Sequence, residues 1–70
     1  MVIVISARNQ IKGKVKSVKL GQVMAEVIIA AGNVEIVSLI SVGSATKMGL
    51  KAGDEVTAVI KATEVMVARD

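Results

Sequence analysis

Between Ile11 and Lys16 the chain alternates, with Lys12, Lys14 and Lys16 set against Ile11, Gly13 and Val15. A period of two residues is that of a strand with one face in water. The surrounding run from Val2 to Leu20 is rich in Val and Ile and reads as one long first strand. Its phase shifts near Ser17-Val18-Lys19-Leu20, and Gly13 inside it predicts a bend or bulge that lets one strand serve two sides of a barrel. Gly21 then starts a turn. A second strand, about Val23 to Ala30, reaches the turn Ala31-Gly32-Asn33, and a third runs from Val34 to about Ile40. The second strand is apolar on both faces, with Val23, Ala25, Val27 and Ile29 on one and Met24, Ile28 and Ala30 beside Glu26 on the other. A monomeric barrel buries one face only, so the second apolar face predicts a subunit interface.

Ser41 to Met48 is the one helical stretch, with Ser41 as N-cap, Gly49 at C′ and Leu50 as the apolar residue after it. Lys51-Ala52-Gly53-Asp54 reads as a turn. The segment from Glu55 to Ala68 is rich enough in Val for two strands joined near Ala62-Thr63. The prediction is therefore a mainly β, all-β fold, a five-stranded OB-like Greek-key barrel with one short helix between strands 3 and 4. There is no internal repeat and no linker, so residues 1–70 are expected to form a single domain.

Composition sharpens this picture. Seventy residues carry 9 Lys+Arg against 6 Asp+Glu, and 53% are hydrophobic, yet there is no aromatic residue, Cys, His or Pro. A domain of this size buries only about 60% of the surface its unfolded chain exposes. With no disulfide, no thiolate or imidazole metal site and no aromatic core, oligomerisation is the remaining stabiliser. The longest charge-free stretch, Ile36 to Thr46, is 11 residues and is broken by Ser and Gly. A membrane-spanning helix needs about 20 apolar residues, so no membrane partner is expected. Met1-Val2-Ile3-Val4-Ile5 is too short for a signal h-region and has no basic residue before it, so a cytoplasmic location is expected.

Without His or Cys there is no imidazole base and no thiolate nucleophile. The carboxylates Glu26, Glu35, Asp54, Glu55, Glu64 and Asp70 are scattered, and the adjacent pair Asp54-Glu55 precedes a β-rich run where neighbours point to opposite faces. An enzyme is not expected. What stands out is a set of donors: Ser6-Ala7-Arg8-Asn9-Gln10, then Ser41-Val42-Gly43-Ser44, then Lys61-Ala62-Thr63, none containing a carboxylate. Ser41 and Ser44 fall where a helix leaves backbone N–H groups unpaired, Arg8 offers a planar fork of donors and Lys61 a compact charge. Together they suit a small, fully ionised oxyanion. Taken singly, such serines are more often helix caps and such an arginine more often a surface charge, and Lys61 also reads as an exposed strand residue.

A wider pattern bears on that choice. Ser-Ala-Arg-Asn-Gln with the following Ile11-Lys12-Gly13-Lys14-Val15, then Gly21-Gln22-Val23-Met24-Ala25-Glu26-Val27, then Val59-Ile60-Lys61-Ala62-Thr63-Glu64-Val65-Met66-Val67 run through the chain in that order. This series resembles the molbindins, the small molybdate-binding Mop family, over nearly the whole length. The resemblance implies an OB-like fold, a homohexamer built as a trimer of dimers, and molybdate or tungstate held between subunits in the cytoplasm, with no cofactor. It also implies a pocket made of Ser6, Arg8, Lys61 and the backbone N–H of Ala62 from one subunit, with Ser41 and Ser44 from a neighbour. Thr63 sits where relatives vary and offers a further hydroxyl. The family's threefold-axis sites are not assigned to residues here. The apolar residues before Ser6 slightly exceed the family's short start.

The ligand chemistry is consistent with that pocket. Molybdate is an unprotonated dianion at neutral pH, so two cations and a donor-only lining match it. Hydrogen phosphate carries a proton that needs an acceptor, and leaving it unpaired costs about 1–3 kcal/mol. The resemblance leaves storage and buffering beside a second role, an oxyanion-sensing module that delivers molybdate to a partner protein. An OB-fold binder of single-stranded nucleic acid is the more distant alternative, because that mode stacks bases on aromatic side chains and this chain has none.

Overall fold

The computed structural model describes residues 4–70. Four strands and one helix follow in the order β1 (Asn9–Leu20), β2 (Met24–Ala31), β3 (Val34–Ser41), α1 (Val42–Met48) and β4 (Glu55–Ile60), and a 3₁₀ turn (Ala62–Glu64) comes last. They form one antiparallel sheet in the order β3-β2-β1-β4. β1 is long enough to serve two partners. Its first half, from Asn9 to Lys14, pairs with β4, and its second half, from Lys14 to Leu20, pairs with β2.

The changeover needs a sharp coil of the sheet, and the sequence supplies it. The register slips by one residue between Val15 and Ser17, where the alternation loses phase. Gly13 has another role than the expected bend: a Cβ there would lie 2.5 Å from the carbonyl oxygen of Ala30 and 2.9 Å from Ile29 Cγ2. Only a residue without a side chain lets β2 close over β1 at this corner. The Lys51–Asp54 turn fastens to the same point, since Gly53 N–H donates to Val15 C=O and Val15 N–H donates to Asp54 C=O, both at 2.8 Å.

The core is small. Val15, Val27, Ile29 and Ala58 are its buried residues, with Val18, Ile36, Ile40, Leu50 and Val56 packed against them. Ala25, Val27 and Ile29 all face inward, as the alternation of β2 requires. The helix docks through Ala45, its one buried residue. Many other apolar side chains are uncovered, among them Leu20, Val23, Val37, Leu39, Met66 and Val67. The chain exposes 5905 Å², about 1,800 Å² more than the roughly 4,100 Å² that the usual scaling gives a folded monomer of this mass.

Two expectations are corrected. The barrel has four strands among the described residues, because the stretch expected as a fifth strand begins with the 3₁₀ turn, in which Glu64 N–H donates to Lys61 C=O at 2.9 Å. Beyond it residues 65–70 join no ladder, and a strand exists only where an edge is there to pair with it. The first strand likewise begins at Asn9 rather than Val2: residues 4–8 lie outside the ladder, and Val2 and Ile3 fall outside the described residues. No helix among the described residues is long and apolar enough to cross a membrane.

Candidate functional site

The last rung of the β1–β4 ladder joins Asn9 to Ile60. Arg8 immediately precedes β1 and Lys61 immediately follows β4, so the chain carries two cations at the same end of the sheet. Like charges directly across a ladder repel. No carboxylate relieves them, because the one ion pair among the described residues is that of Lys16 with Glu35, on the other half of β1. Ser6 lies in the bend leading to β1, and Ala62 and Thr63 open the 3₁₀ turn after β4. The first N–H groups of such a turn have no acceptor within it. Glu64 closes the turn and is exposed.

Ser41 and Ser44 form a second group. Ser41 ends β3 and caps α1, its Oγ accepting from Ser44 N–H at 3.0 Å and donating to Ser44 Oγ at 2.9 Å. That chain of bonds leaves the Ser44 hydroxyl proton unused. At the other end of α1, Gly49 has φ 62°, Gly49 N–H donates to Thr46 C=O, and Leu50 N–H to Ala45 C=O. These are the two bonds of a Schellman ending. Loss of the cap in Ser41→Ala is expected to cost about 1 kcal/mol, read as a shift in the urea midpoint. Ser44→Ala should shift it less, because its captured N–H remains.

The two groups do not meet within one chain. Ser41 pairs with Met24, beside the Leu20 end of β1, whereas Arg8 and Lys61 lie beyond the Asn9 end. The intervening β1 represents on the order of 36 Å of strand. A hollow of about 500 Å³ is lined by none of these residues: Lys12 and Lys14 flank it beside Glu55. Those lysines are exposed, as a solvated strand face predicts.

The family comparison matches residues 5–67 to the TOBE domain. The chain belongs to the TOBE domain family. Molybdenum-pterin-binding protein 3 from Clostridium pasteurianum is 55% identical to this TOBE domain over 64 residues, 90% of this chain and 94% of that one. A molybdate-binding protein from Sporomusa ovata has the same fold with a TM-score of 0.91 at 37% identity, over 96% of this chain and 100% of the other. The cytoplasmic molybdate-binding protein ModG, in a form with molybdate bound, matches with a TM-score of 0.82 at 44% identity, over 86% of this chain and 43% of its own. The resemblance to molybdate-binding Mop proteins therefore holds, and the relatives are binding proteins.

Within this TOBE domain, two residues of the opening motif have a role that the sequence did not disclose. Asn9 Nδ2 donates to Ile60 C=O at 3.3 Å and Gln10 Nε2 donates to Ala7 C=O at 2.7 Å. Between them they fix the segment that carries Ser6 and Arg8 against the end of β4. A carboxamide can do this because its NH₂ donates to a backbone carbonyl.

Proposed function

We propose that this TOBE domain binds molybdate or tungstate in the cytoplasm, stores and buffers the anion, and does so at subunit interfaces of a homohexamer arranged as a trimer of dimers. It acts as one binding domain over residues 1–70 and is not an enzyme. The observation that carries the reading is the pair of cations, Arg8 and Lys61, set beside the 3₁₀ turn with no carboxylate partner among the described residues. A dianion would neutralise both, accept from Ser6 and the Ala62 N–H, and take Thr63 as a further donor. Ser41 and Ser44 would come from a neighbouring subunit, which is how the separation of the two groups supports a shared site.

The excess exposed area supports self-association, since a standard interface removes about 800 Å² from each partner. The name of the Clostridium relatives includes a pterin, a flat ring system. Aromatic side chains are the usual platform for such a ring, and this chain has none, so the bare oxyanion is the better match.

Isothermal titration of the oligomer with four anions tests the reading. Molybdate and tungstate should bind well, sulfate weakly because it is smaller, and phosphate least because its proton meets only donors. Phosphate bound as tightly as molybdate would overturn the donor-only pocket. Metal analysis of the purified protein gives the ratio of molybdenum to chains.

A further inference from the structure

Asn9 and Gln10 are neighbours at the start of β1, and their two carboxamides are used in different directions. Asn9 Nδ2 crosses the ladder to the C=O of Ile60, 51 residues away, at 3.3 Å. Gln10 Nε2 turns back along its own segment to the C=O of Ala7 at 2.7 Å. Each acceptor belongs to the peptide unit immediately before one of the two cations, since Ala7 precedes Arg8 and Ile60 precedes Lys61. Lys61 is also held on its other side, where its own C=O accepts from Glu64 N–H at 2.9 Å. The backbones leading into both cations are thus tied to one dipeptide of β1.

We propose that Asn9 and Gln10 are positioning residues that fix the spacing of Arg8 and Lys61, and that this fixed spacing discriminates large tetrahedral dianions from the smaller sulfate. The inference rests on the oxyanion site proposed above and deepens it. The cations set how tightly a dianion is held, and the carboxamides set which size of dianion fits. Coulomb attraction alone does not make that choice. It grows as the charges approach, so two freely moving cations favour the smaller anion. Preference for the larger one needs donors that cannot close in, and hydrogen bonds to the backbone that carries them supply that restraint.

The residue type suits the task. A carboxamide NH₂ donates without carrying a charge. A carboxylate at either position could not donate and would set a negative charge near the dianion, whereas a lysine would add a cation and strengthen binding of every dianion whatever its size. Adjacent strand residues point to opposite faces, so one amide can serve β4 while the next serves the segment before β1. Neither residue fills the core: Asn9 is half-buried and Gln10 is exposed. Their removal should therefore loosen the end of the ladder and leave the packed part of the sheet intact.

Molybdate, selenate and sulfate form a series of equal charge and falling size, and none carries a proton in mildly alkaline buffer. Isothermal titration of each into the unaltered protein and into full-length Asn9→Ala, Gln10→Ala and Lys14→Ala, all of verified oligomeric state, gives the ratio of molybdate to sulfate affinity. Hydration of the anions is common to all four proteins, so a changed ratio reports the protein. Each carboxamide variant is expected to lower the ratio by about three- to tenfold, the scale of one hydrogen bond, with selenate between the two. Lys14→Ala, on the middle of β1, should leave the ratio unchanged. A purely structural role would lower the urea midpoint and spare the ratio, so a shift of less than about threefold in either carboxamide variant would overturn the proposal. Should Asn9→Ala fail to fold, Asn9→Asp keeps the shape and removes the donor. Its added charge weakens all three dianions alike, and the ratio remains the readout. The unaltered protein separates the two readings. Binding of none of the three anions would overturn the anion site and this inference with it, and a preference for molybdate that persists in both carboxamide variants would overturn the positioning role alone.

Discussion

Arg8→Ala and Lys61→Ala are each expected to weaken molybdate binding by roughly 30-fold to several thousand-fold, the equivalent of the 2–5 kcal/mol or more lost when one partner of a buried charge pair is truncated. Asn9 and Ile60 form the last rung of the β1–β4 ladder, so the two cations are held near one another by backbone pairing and need little rearrangement to face one anion. Removing either would leave a dianion with half its charge uncompensated in a site that the proposed subunit contact would shield from water. Folding should survive, since both residues are exposed and neither forms an ion pair among the described residues. The empty site is a pair of like charges, so losing one should slightly favour the unliganded protein. Lys14→Ala is the control. Lys14 is exposed on the middle of β1, where salt screens a surface charge, and its loss should change affinity by less than about threefold. Titrations on variants of verified oligomeric state decide the matter, and equal small losses in all three would mean that diffuse positive charge holds the anion.

Local features of this fold were legible because local chemistry decides them. The cap at Ser41 and the left-handed Gly49 bound α1 where the pattern of Ser, Gly and Leu50 places them. The two-residue link Gly32-Asn33 between β2 and β3 has positive φ at Gly32, the first loop position. The lost alternation near Ser17 marked a true slip of register. The fifth strand misled for the opposite reason. Val65, Met66 and Val67 have the residue types of a strand, but pairing depends on an edge elsewhere, and after the 3₁₀ turn these residues join no ladder and Met66 and Val67 are exposed. The same limit applies to the site. Nothing local says that Asn9 and Ile60, 51 residues apart, adjoin in space, and that adjacency is what brings Arg8 to Lys61. The motif supplied the residues through resemblance, while topology places Arg8 and Lys61 at the same end of the sheet. Asn9 and Gln10 looked like further donors for a ligand, and their bonds to Ile60 and Ala7 show them positioning the segment instead.

Gly13→Ala is expected to be the most damaging small substitution in the chain, at about 3 kcal/mol or more. A domain of this length has on the order of 4–10 kcal/mol of stability in total, so the variant should lie near the edge of folding. The added Cβ would meet the Ala30 carbonyl oxygen at 2.5 Å, the Ala30 carbonyl carbon at 3.2 Å and Ile29 Cγ2 at 2.9 Å. Two of these atoms are backbone, so no change of rotamer relieves them, and Ile29 belongs to the buried core. The only escape is separation of β1 from β2 at Lys14 and Ala30, the rung where β1 passes from one partner to the other. Opening that rung would also loosen Val15, which holds the Lys51–Asp54 turn through both its N–H and its C=O. Gly49→Ala isolates the conformational part of the effect. Gly49 has φ 62° but no atom within 4 Å of an added Cβ, so the left-handed backbone alone should cost about 1–2 kcal/mol. Urea denaturation at one fixed protein concentration, with molybdate absent, compares the two, because ligand and assembly would each shift the midpoint. Equal losses for Gly13→Ala and Gly49→Ala would show that β2 can yield at Ala30 and that the corner of the sheet is held by the bulge after Val15 and not by the close approach at Gly13.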